Sequence, residues 1–599
     1  MRSFSLVITL CLTLCACTSS HSSPNETEAR KFVEDANQTM LALYIEQTRA
    51  SWVAETYITD DTQKLSARAN QAYMDAIAQL AKQSVRFDRI QVSPEIRRQL
   101  NLLKLNLTLA APSDPKESAE LANIAARLDA EYGQGKWCED PRKPETCLDV
   151  DKITNIMAES HDEKRLREVW EGWHTISPPM RKDYTRLVEL ANKGAKELGF
   201  ADTGAMWRSK YDMPDAEYAR ELERLWAEVR PLYIKLHAYA RMKLREKYGD
   251  IVPASGPIPA HLLGNIWAQD WSNIYPLIKP ANSDVGYDLN AILKSRNTTP
   301  VEMVKMGERF YLSIGFKPLP GTFWVRSNFT RPRDRDLVCH ASAWDIDGDE
   351  DVRIKMCIEP KTEDFLTIHH ELGHNFYERA YKDLPFLFRD SANDGFHEAI
   401  GDTIALSVTP EYLQKIGLIS KVPDASSDIG LLLSRAIEKI AFMPFGLLID
   451  EWRWKVLSGE IRPENYNAAW WDLRLKYQGI APPTKRGEEF FDPGAKYHIP
   501  SNTPYARYFM AYILQFQFHR ALSQIAGCHA ALVRCSIYEN KQAGERLRSM
   551  LSMGLSQPWP DALEALAGTR RMDAAAMLEY FAPLDKWLDD QLKNKPVGW

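Results

Sequence analysis

The chain has 599 residues, with 75 Lys+Arg against 81 Asp+Glu and a net charge of −6. That balance leaves no polybasic face and excludes nucleic acid as a partner class. With 45% hydrophobic residues, 17 Trp, 24 Tyr and 21 Phe, core material is ample and a disordered chain is excluded. At roughly 150 residues per domain, length alone predicts about four domains.

In chain order, Arg2 and the apolar run 4–14 read as an export signal, shorter than the ~20 residues of a membrane-spanning helix. The run closes in Leu14-Cys15-Ala16-Cys17, which resembles a lipobox whose final cysteine is lipidated. Residues 1–17 are therefore expected to be a signal peptide of lipoprotein type, with ordinary secretory cleavage as the alternative. The polar stretch 18–28 reads as a flexible tether. The mature protein is expected in the periplasm or anchored to the outer membrane, or else secreted. Any membrane contact would be through that N-terminal lipid alone.

Helical periodicity then dominates. Segments 28–56, 116–132, 215–248, 429–457, 543–554 and 574–592 carry apolar residues at i, i+3, i+4 spacing. Pro231 predicts a kink in the 215–248 helix, and Gly249 its stop. Period-2 alternation is confined to 352–358, with 338–344 as the expected partner. No repeat and no Gly/Ser-rich linker divides the chain. The pattern predicts one large α-helical body with a small sheet.

Of nine cysteines, three lie in the signal. The others, Cys138, Cys147, Cys339, Cys357, Cys528 and Cys535, form three local groups of two. An even count in an exported chain favours disulfides over a Cys-only zinc site, since no C-x-x-C spacing exists. Six cysteines permit fifteen pairings, and spacing does not choose among them.

The chemistry concentrates at 369–402. His370-Glu371-Leu372-Gly373-His374 is H-E-x-x-H within an apolar helical pattern, which puts both imidazoles one turn apart on one face, where they can bind one Zn²⁺. Glu371 lies beside them, suited to take a proton from the attacking water. A second helical segment carries Glu398 and Asp402 four residues apart. Glu398 is a candidate third ligand, and Asp402 can hold the free ring N–H of a ligand histidine and fix its tautomer. Two carboxylates on a solvated helix face are the bland alternative, and the flanking Phe396, Ile400, Ile404 and Leu406 argue against it.

HHELGH, GFHEAIGD, CHASAWD, GPIPAHLLGNIWAQDWSNIY, WWDLRLKYQG and FDPGAKYHIPSNTPYARYF, which lie along the chain in that family's order, together resemble the angiotensin-converting enzyme family over nearly the whole mature chain. The resemblance implies a mainly α, gluzincin-type ellipsoid of two subdomains around a deep cleft, with a small sheet near the zinc site, and a single catalytic domain over 29–599. It implies a zinc peptidyl-dipeptidase acting on oligopeptides with a free C-terminal carboxylate. His370, His374 and Glu398 match the zinc ligands and Glu371 the general base, while His498 and Tyr508 match the groups that stabilise the tetrahedral intermediate. Ala341 and Ala343, next to His340, match the strand edge that pairs with substrate backbone. Lys496, Tyr505 and Gln269 match the carboxylate-holding cluster. Glu438, Phe442 and Tyr512 match the positions that line the pocket for the last residue.

A family relative that removes a single C-terminal residue carries arginine where Gln269 stands, so Gln269 favours dipeptide release over that alternative. A thimet-like oligopeptidase, the other alternative, needs no free carboxylate. The resemblance also implies chloride as activator, at Tyr211 and Arg507. A second chloride site is incomplete: Trp470 and Arg474 are present, but His174 stands where an arginine is expected. For the cysteines it implies Cys138–Cys147 and Cys339–Cys357; the third pairing, Cys528–Cys535, departs from the family pattern, with Ser523 at the usual upstream position.

Overall fold

The computed structural model describes residues 24–280 and 286–599. Residues 1–17, and the tether as far as residue 23, lie outside them. Asn25 caps the first helix, Glu26–Thr56, by accepting from the Glu28 N–H, so 26–28 are helical rather than part of a tether. Helix takes up 65% of the described residues and strand 3%, so the core is built by packing helix on helix.

The predicted helices form at Pro115–Gly133, Asp215–Tyr248, Asp428–Leu457, Lys541–Leu551 and Ala575–Gln591. Asp215–Tyr248 passes through Pro231 as one helix, burying the predicted stripe from Leu222 to Leu236, and stops where Gly249 takes φ 66°. One contiguous apolar core runs from Met40 to Leu592, and a smaller cluster around Phe32, Phe87 and Leu100 lies under the first helix.

Among the described residues there are three two-stranded sheets. The one that matters for the site pairs Ser342–Asp345 with Val352–Lys355 antiparallel, Ser342 opposite Lys355 and Asp345 opposite Val352. The pairing is shorter than alternation predicts, because both flanks have other partners. Val338 donates to the Glu55 carbonyl, while Met356 and Ile358 donate to Asn328 and Phe329. Three disulfides close local loops, Cys138–Cys147, Cys339–Cys357 and Cys528–Cys535. No helix among the described residues is long and apolar enough to cross a membrane.

Two helices carry the H-E-x-x-H and Glu398 segments. The histidine helix is Thr362–Tyr381 and the glutamate helix is Asp394–Leu406, the latter capped by Asn393 through the Gly395 N–H. They cross glycine on glycine. A Cβ on Gly373 would stand 2.9 Å from the Gly401 Cα, and a Cβ on Gly401 would stand 2.7 Å from His370 Nδ1. No side chain fits there, and the contact brings Glu398 and Asp402 against His370.

Gly401→Ala should therefore lower stability by about 1–3 kcal/mol, the usual cost of overpacking, and weaken metal retention as His370 is displaced. Gly133→Ala, whose Cβ would meet nothing within 4 Å, is the control. Denaturant unfolding and chelator competition measure the two effects.

Candidate active site

The crossing assembles a compact donor set. His370, His374 and Glu398 each direct one ligand atom inward, all within 4.8 Å of one another. The two Nε2 atoms are 3.1 Å apart, and His370 Nε2 lies 3.6 Å from a Glu398 oxygen. Tetrahedral zinc with Zn–N near 2.0–2.1 Å sets its ligand nitrogens about 3.3–3.4 Å apart, so two imidazoles and a carboxylate fit that ion with a position left for substrate.

The outer bonds fix which nitrogen faces inward. His370 Nδ1 lies 2.9 Å from Asp402 Oδ1, so the proton sits on Nδ1 and the Nε2 lone pair is free. Burial alone would raise Asp402, but Lys439, donating to its other oxygen at 2.8 Å, and the His370 bond hold it well below the usual carboxylate range. His374 Nδ1 lies 3.0 Å from His397 Nδ1, and His397 Nε2 lies 3.3 Å from the Tyr381 hydroxyl. With His374 donating, His397 accepts at Nδ1 and donates from Nε2. Sequence reading passed over His397, Tyr381 and Lys439. The signal for His397 was its place directly before Glu398; that for Lys439 was its place beside Glu438.

Glu371 is buried, and desolvation raises its pKa above the ordinary carboxyl value. It accepts from the Ala343 backbone N–H, a bond that follows from the sheet. Ile346 donates to the Asp351 carbonyl at 3.0 Å, and alternation along the ladder makes Trp344/Arg353 and Ser342/Lys355 the other hydrogen-bonded pairs. The backbone of Ala343 and Asp345 then points to the other edge, which has no strand partner among the described residues. His340 and Ala341 continue the chain just before it, His340 Nδ1 lying 2.9 Å from the Ala341 carbonyl.

The remaining predicted residues gather around the helix Ala506–Ile525. His498, Tyr505 and Tyr508 are mutual neighbours, with ring centroids 4.6 Å apart for His498–Tyr505 and 5.9 Å for His498–Tyr508. Burial, followed by Lys496, Arg453 and Arg507, lowers His498 to about 2, so it is a neutral imidazole at working pH. Phe442 packs against Tyr505, Tyr508 and Tyr512, and Glu438 reaches Lys439, whose ammonium lies over the Tyr512 ring.

Lys496 is only 5% exposed and has no carboxylate within ion-pair distance among the described residues; its ammonium lies 4.1 Å from the Trp267 ring centroid. Tyr505 donates to the Gln269 side-chain oxygen at 3.1 Å, alongside. Two indoles, Trp173 and Trp267, both donate to the Ala495 carbonyl and fix the backbone just before Lys496. Burial, with Arg474 adding to it, lowers Lys496 to about 7.

A buried ion pair that the sequence did not announce holds this half together. Asp450, on Asp428–Leu457, accepts at 2.7 Å from both the Tyr505 and Ala506 N–H groups, capping a helix that has no cap of its own. Its partner Arg453 donates to the His498 carbonyl at 2.8 Å. One pair thus positions both His498 and the helix bearing Tyr508.

The residues matched to chloride have partners within the chain. Arg507 lies 3.2 Å from Asp394, against which Tyr211 also hydrogen-bonds. At the second location His174 stacks on Trp170 at 3.9 Å, burial lowers it to about 4, and it adds no charge beside Trp470 and Arg474.

Two histidines a turn apart and a glutamate from the next helix, with Glu371 between them, fit a zinc site of the gluzincin type. A family model described as angiotensin-converting enzyme matches residues 23–599. The chain is 42% identical over 583 residues to the angiotensin-converting enzyme of Bos taurus, covering 96% of this chain but 44% of that one. It is 39% identical over 582 residues to that of Theromyzon tessulatum (96% and 94% covered) and 36% identical over 597 to that of Haematobia irritans exigua (98% and 97%). The protein belongs to the angiotensin-converting enzyme family. It spans less than half the length of the mammalian relatives it matches.

Glu371→Gln should keep the metal and lose at least the ~10²–10⁴-fold attributed to general acid–base catalysis. His374→Ala should lose metal and activity together. Metal content by mass spectrometry alongside turnover distinguishes the two, and near-normal turnover in Glu371→Gln would contradict the role given to it.

Proposed function

We propose that this protein is a zinc peptidyl-dipeptidase, releasing dipeptides from the free carboxyl end of oligopeptides. The observation that carries the reading is a buried ammonium, Lys496, with no carboxylate partner among the described residues, set beside Tyr505 and Gln269 in the same site as the His-His-Glu donor set. A buried cation without a partner is unfavourable in the resting protein, and a substrate carboxylate supplies the partner.

Bound by His370, His374 and Glu398, zinc supplies Lewis acidity toward the scissile carbonyl. Glu371, its carboxyl raised by burial, takes a proton from the attacking water and returns it to the leaving amine. Tyr508 and neutral His498 donate to the developing oxyanion. The open edge at Ala341 and Ala343 aligns the substrate backbone, and their small side chains allow close approach. Glu438, Phe442 and Tyr512 receive the last side chain. A fixed distance from Lys496 to Glu371 acts as a ruler that selects the bond two residues from the end, and Gln269 in place of a cation supports two residues over one.

The domain reading is one catalytic unit over 29–599. Export is supported by the N-terminal pattern and three disulfides, a bond type that persists in oxidising compartments. Periplasmic placement with a lipid on Cys17 is the form that this pattern favours.

The carboxylate reading has a pH signature. Lys496 titrates near 7 in the free protein and is raised when a carboxylate joins it, so binding takes up a proton above that pH. The full interaction is present below about pH 7. As pH rises through it, KM should climb by up to about tenfold per unit while kcat changes far less. A C-terminally amidated peptide should bind weakly and show no such climb. Equal cleavage of free and amidated peptides would refute the ruler.

Chloride enters the reading only in competition. Any halide at Arg507 and Tyr211 must displace the Asp394 carboxylate, so activation by chloride should be slight in the wild type. Asp394→Asn should become strongly chloride-dependent. Activity against NaCl at constant ionic strength, from chloride-free acetate, checks both.

A further inference from the structure

The segment 266–269 carries Trp267 and Gln269, and between them its backbone takes a conformation that its own sequence disfavours. Ala268 has φ 51° and is fully buried. The other non-glycine residues with positive φ among the described residues are Asp212, Asn297, Asn502, Glu539 and Asn594, all polar. Aspartate and asparagine can offset the left-handed conformation with a local side-chain hydrogen bond. Alanine has no group to do so, and its Cβ crowds the following carbonyl, at a cost equivalent to about a tenfold shift in equilibrium. Such a conformation persists only where the surroundings over-determine it.

Here the surroundings grip the carbonyls. Three in succession each accept from a buried side chain of another element: Ile266 from the Trp170 indole at 2.8 Å, Trp267 from Arg474 at 2.6 Å, and Ala268 from the Gln478 amide at 3.0 Å. The Trp271 indole adds a second bond to the Ala268 carbonyl at 3.1 Å. Arg474 and Gln478 are the first and last residues of a single π-helical turn, which Gly479 ends at φ 62°. Turns of this kind occur mostly as isolated insertions, often at functional sites. Gln478 is fully buried, and its side-chain oxygen has no hydrogen-bond partner. Leaving half of a buried amide unsatisfied is unfavourable. The one side-chain bond that Gln478 makes among the described residues is the one to Ala268.

The grip fixes two contacts of the carboxylate cluster. The Trp267 ring lies 4.1 Å from the Lys496 ammonium, and its indole donates to the Ala495 carbonyl. Gln269 accepts from the Tyr505 hydroxyl. Only Ala268 separates the two residues, so a rotation about its backbone moves one relative to the other.

We propose that Gln478 is a positioning residue for the carboxylate cluster: its amide holds Ala268 in the left-handed conformation and so sets Trp267 and Gln269 against Lys496 and Tyr505. The inference rests on the peptidase reading above and deepens it, since recognition of the terminal carboxylate then depends on a buried residue that acts through Ala268.

The test uses the zinc-loaded enzyme with one oligopeptide and its C-terminal amide. Gln478→Met keeps the length of the side chain and removes the donor. The ratio of kcat/KM for acid over amide should fall about three- to tenfold, the worth of one hydrogen bond, with the change in KM for the acid and kcat within about twofold. Gln478→Leu should behave alike, and KM does not depend on how much of a variant folds. Ala268→Gly removes the crowding at Cβ; alone it should leave the ratio near the wild-type value, and combined with Gln478→Met it should restore most of what that change loses. An unchanged ratio in both Gln478 variants, or no rescue by Ala268→Gly, overturns the positioning role while the peptidase reading stands. If the wild type releases no dipeptide, or cleaves acid and amide equally, the peptidase reading or its ruler falls and this inference falls with it.

Discussion

Two helices touching without side chains between them set the terms for everything else in this protein. Where Gly373 meets Gly401, the histidine and glutamate helices approach until a single added methyl group would collide with His370. That contact puts Asp402 at hydrogen-bond distance from His370 Nδ1 and Glu398 beside its Nε2. Neither helix alone holds a metal site. Widening the crossing by even a methyl group would separate the third ligand from the first two, because helix positions are fixed by backbone rise and cannot compensate through short side chains.

Charge then divides the site into two kinds of place. Where geometry must not change, buried charges are paired: Asp402 with Lys439 behind His370, and Asp450 with Arg453 behind His498 and Tyr505. Removing one partner from such a pair leaves an uncompensated charge, at about 3–5 kcal/mol, so these pairs resist rearrangement. One buried charge has no such partner. Lys496 is buried with no carboxylate within ion-pair distance among the described residues.

Most of the donor set was legible in the sequence because it is local. Two histidines at i, i+4, and a glutamate with an aspartate four residues on, are spacings that a helix converts directly into shared faces. The helical segments were legible for the same reason, their apolar stripes being periodic over fifteen or more residues. The strand was less so. Alternation predicted pairing of 338–344 with 352–358, yet Val338 and Met356 hydrogen-bond to Glu55 and Asn328 instead, because long-range partners outcompete a hairpin extension. His397 illustrates the same limit at the site. Its place before Glu398 was visible, but the contact with His374 depends on how two helices cross.

What the sequence by itself determined, then, was the class of body, the metal-ligand set and, through resemblance, the residues that gather around a substrate. These follow from patterns within one element or from motifs compared whole. Only the tertiary structure decided that Asp394 faces the Arg507 guanidinium, that an ion pair on Asp428–Leu457 caps the helix carrying Tyr508, and that Lys496 is buried with no carboxylate partner among the described residues. Each of these is a relation between charges more than fifty residues apart in the chain or on different elements. Their energies depend on distance and desolvation, which are set by packing and are not encoded in any local spacing.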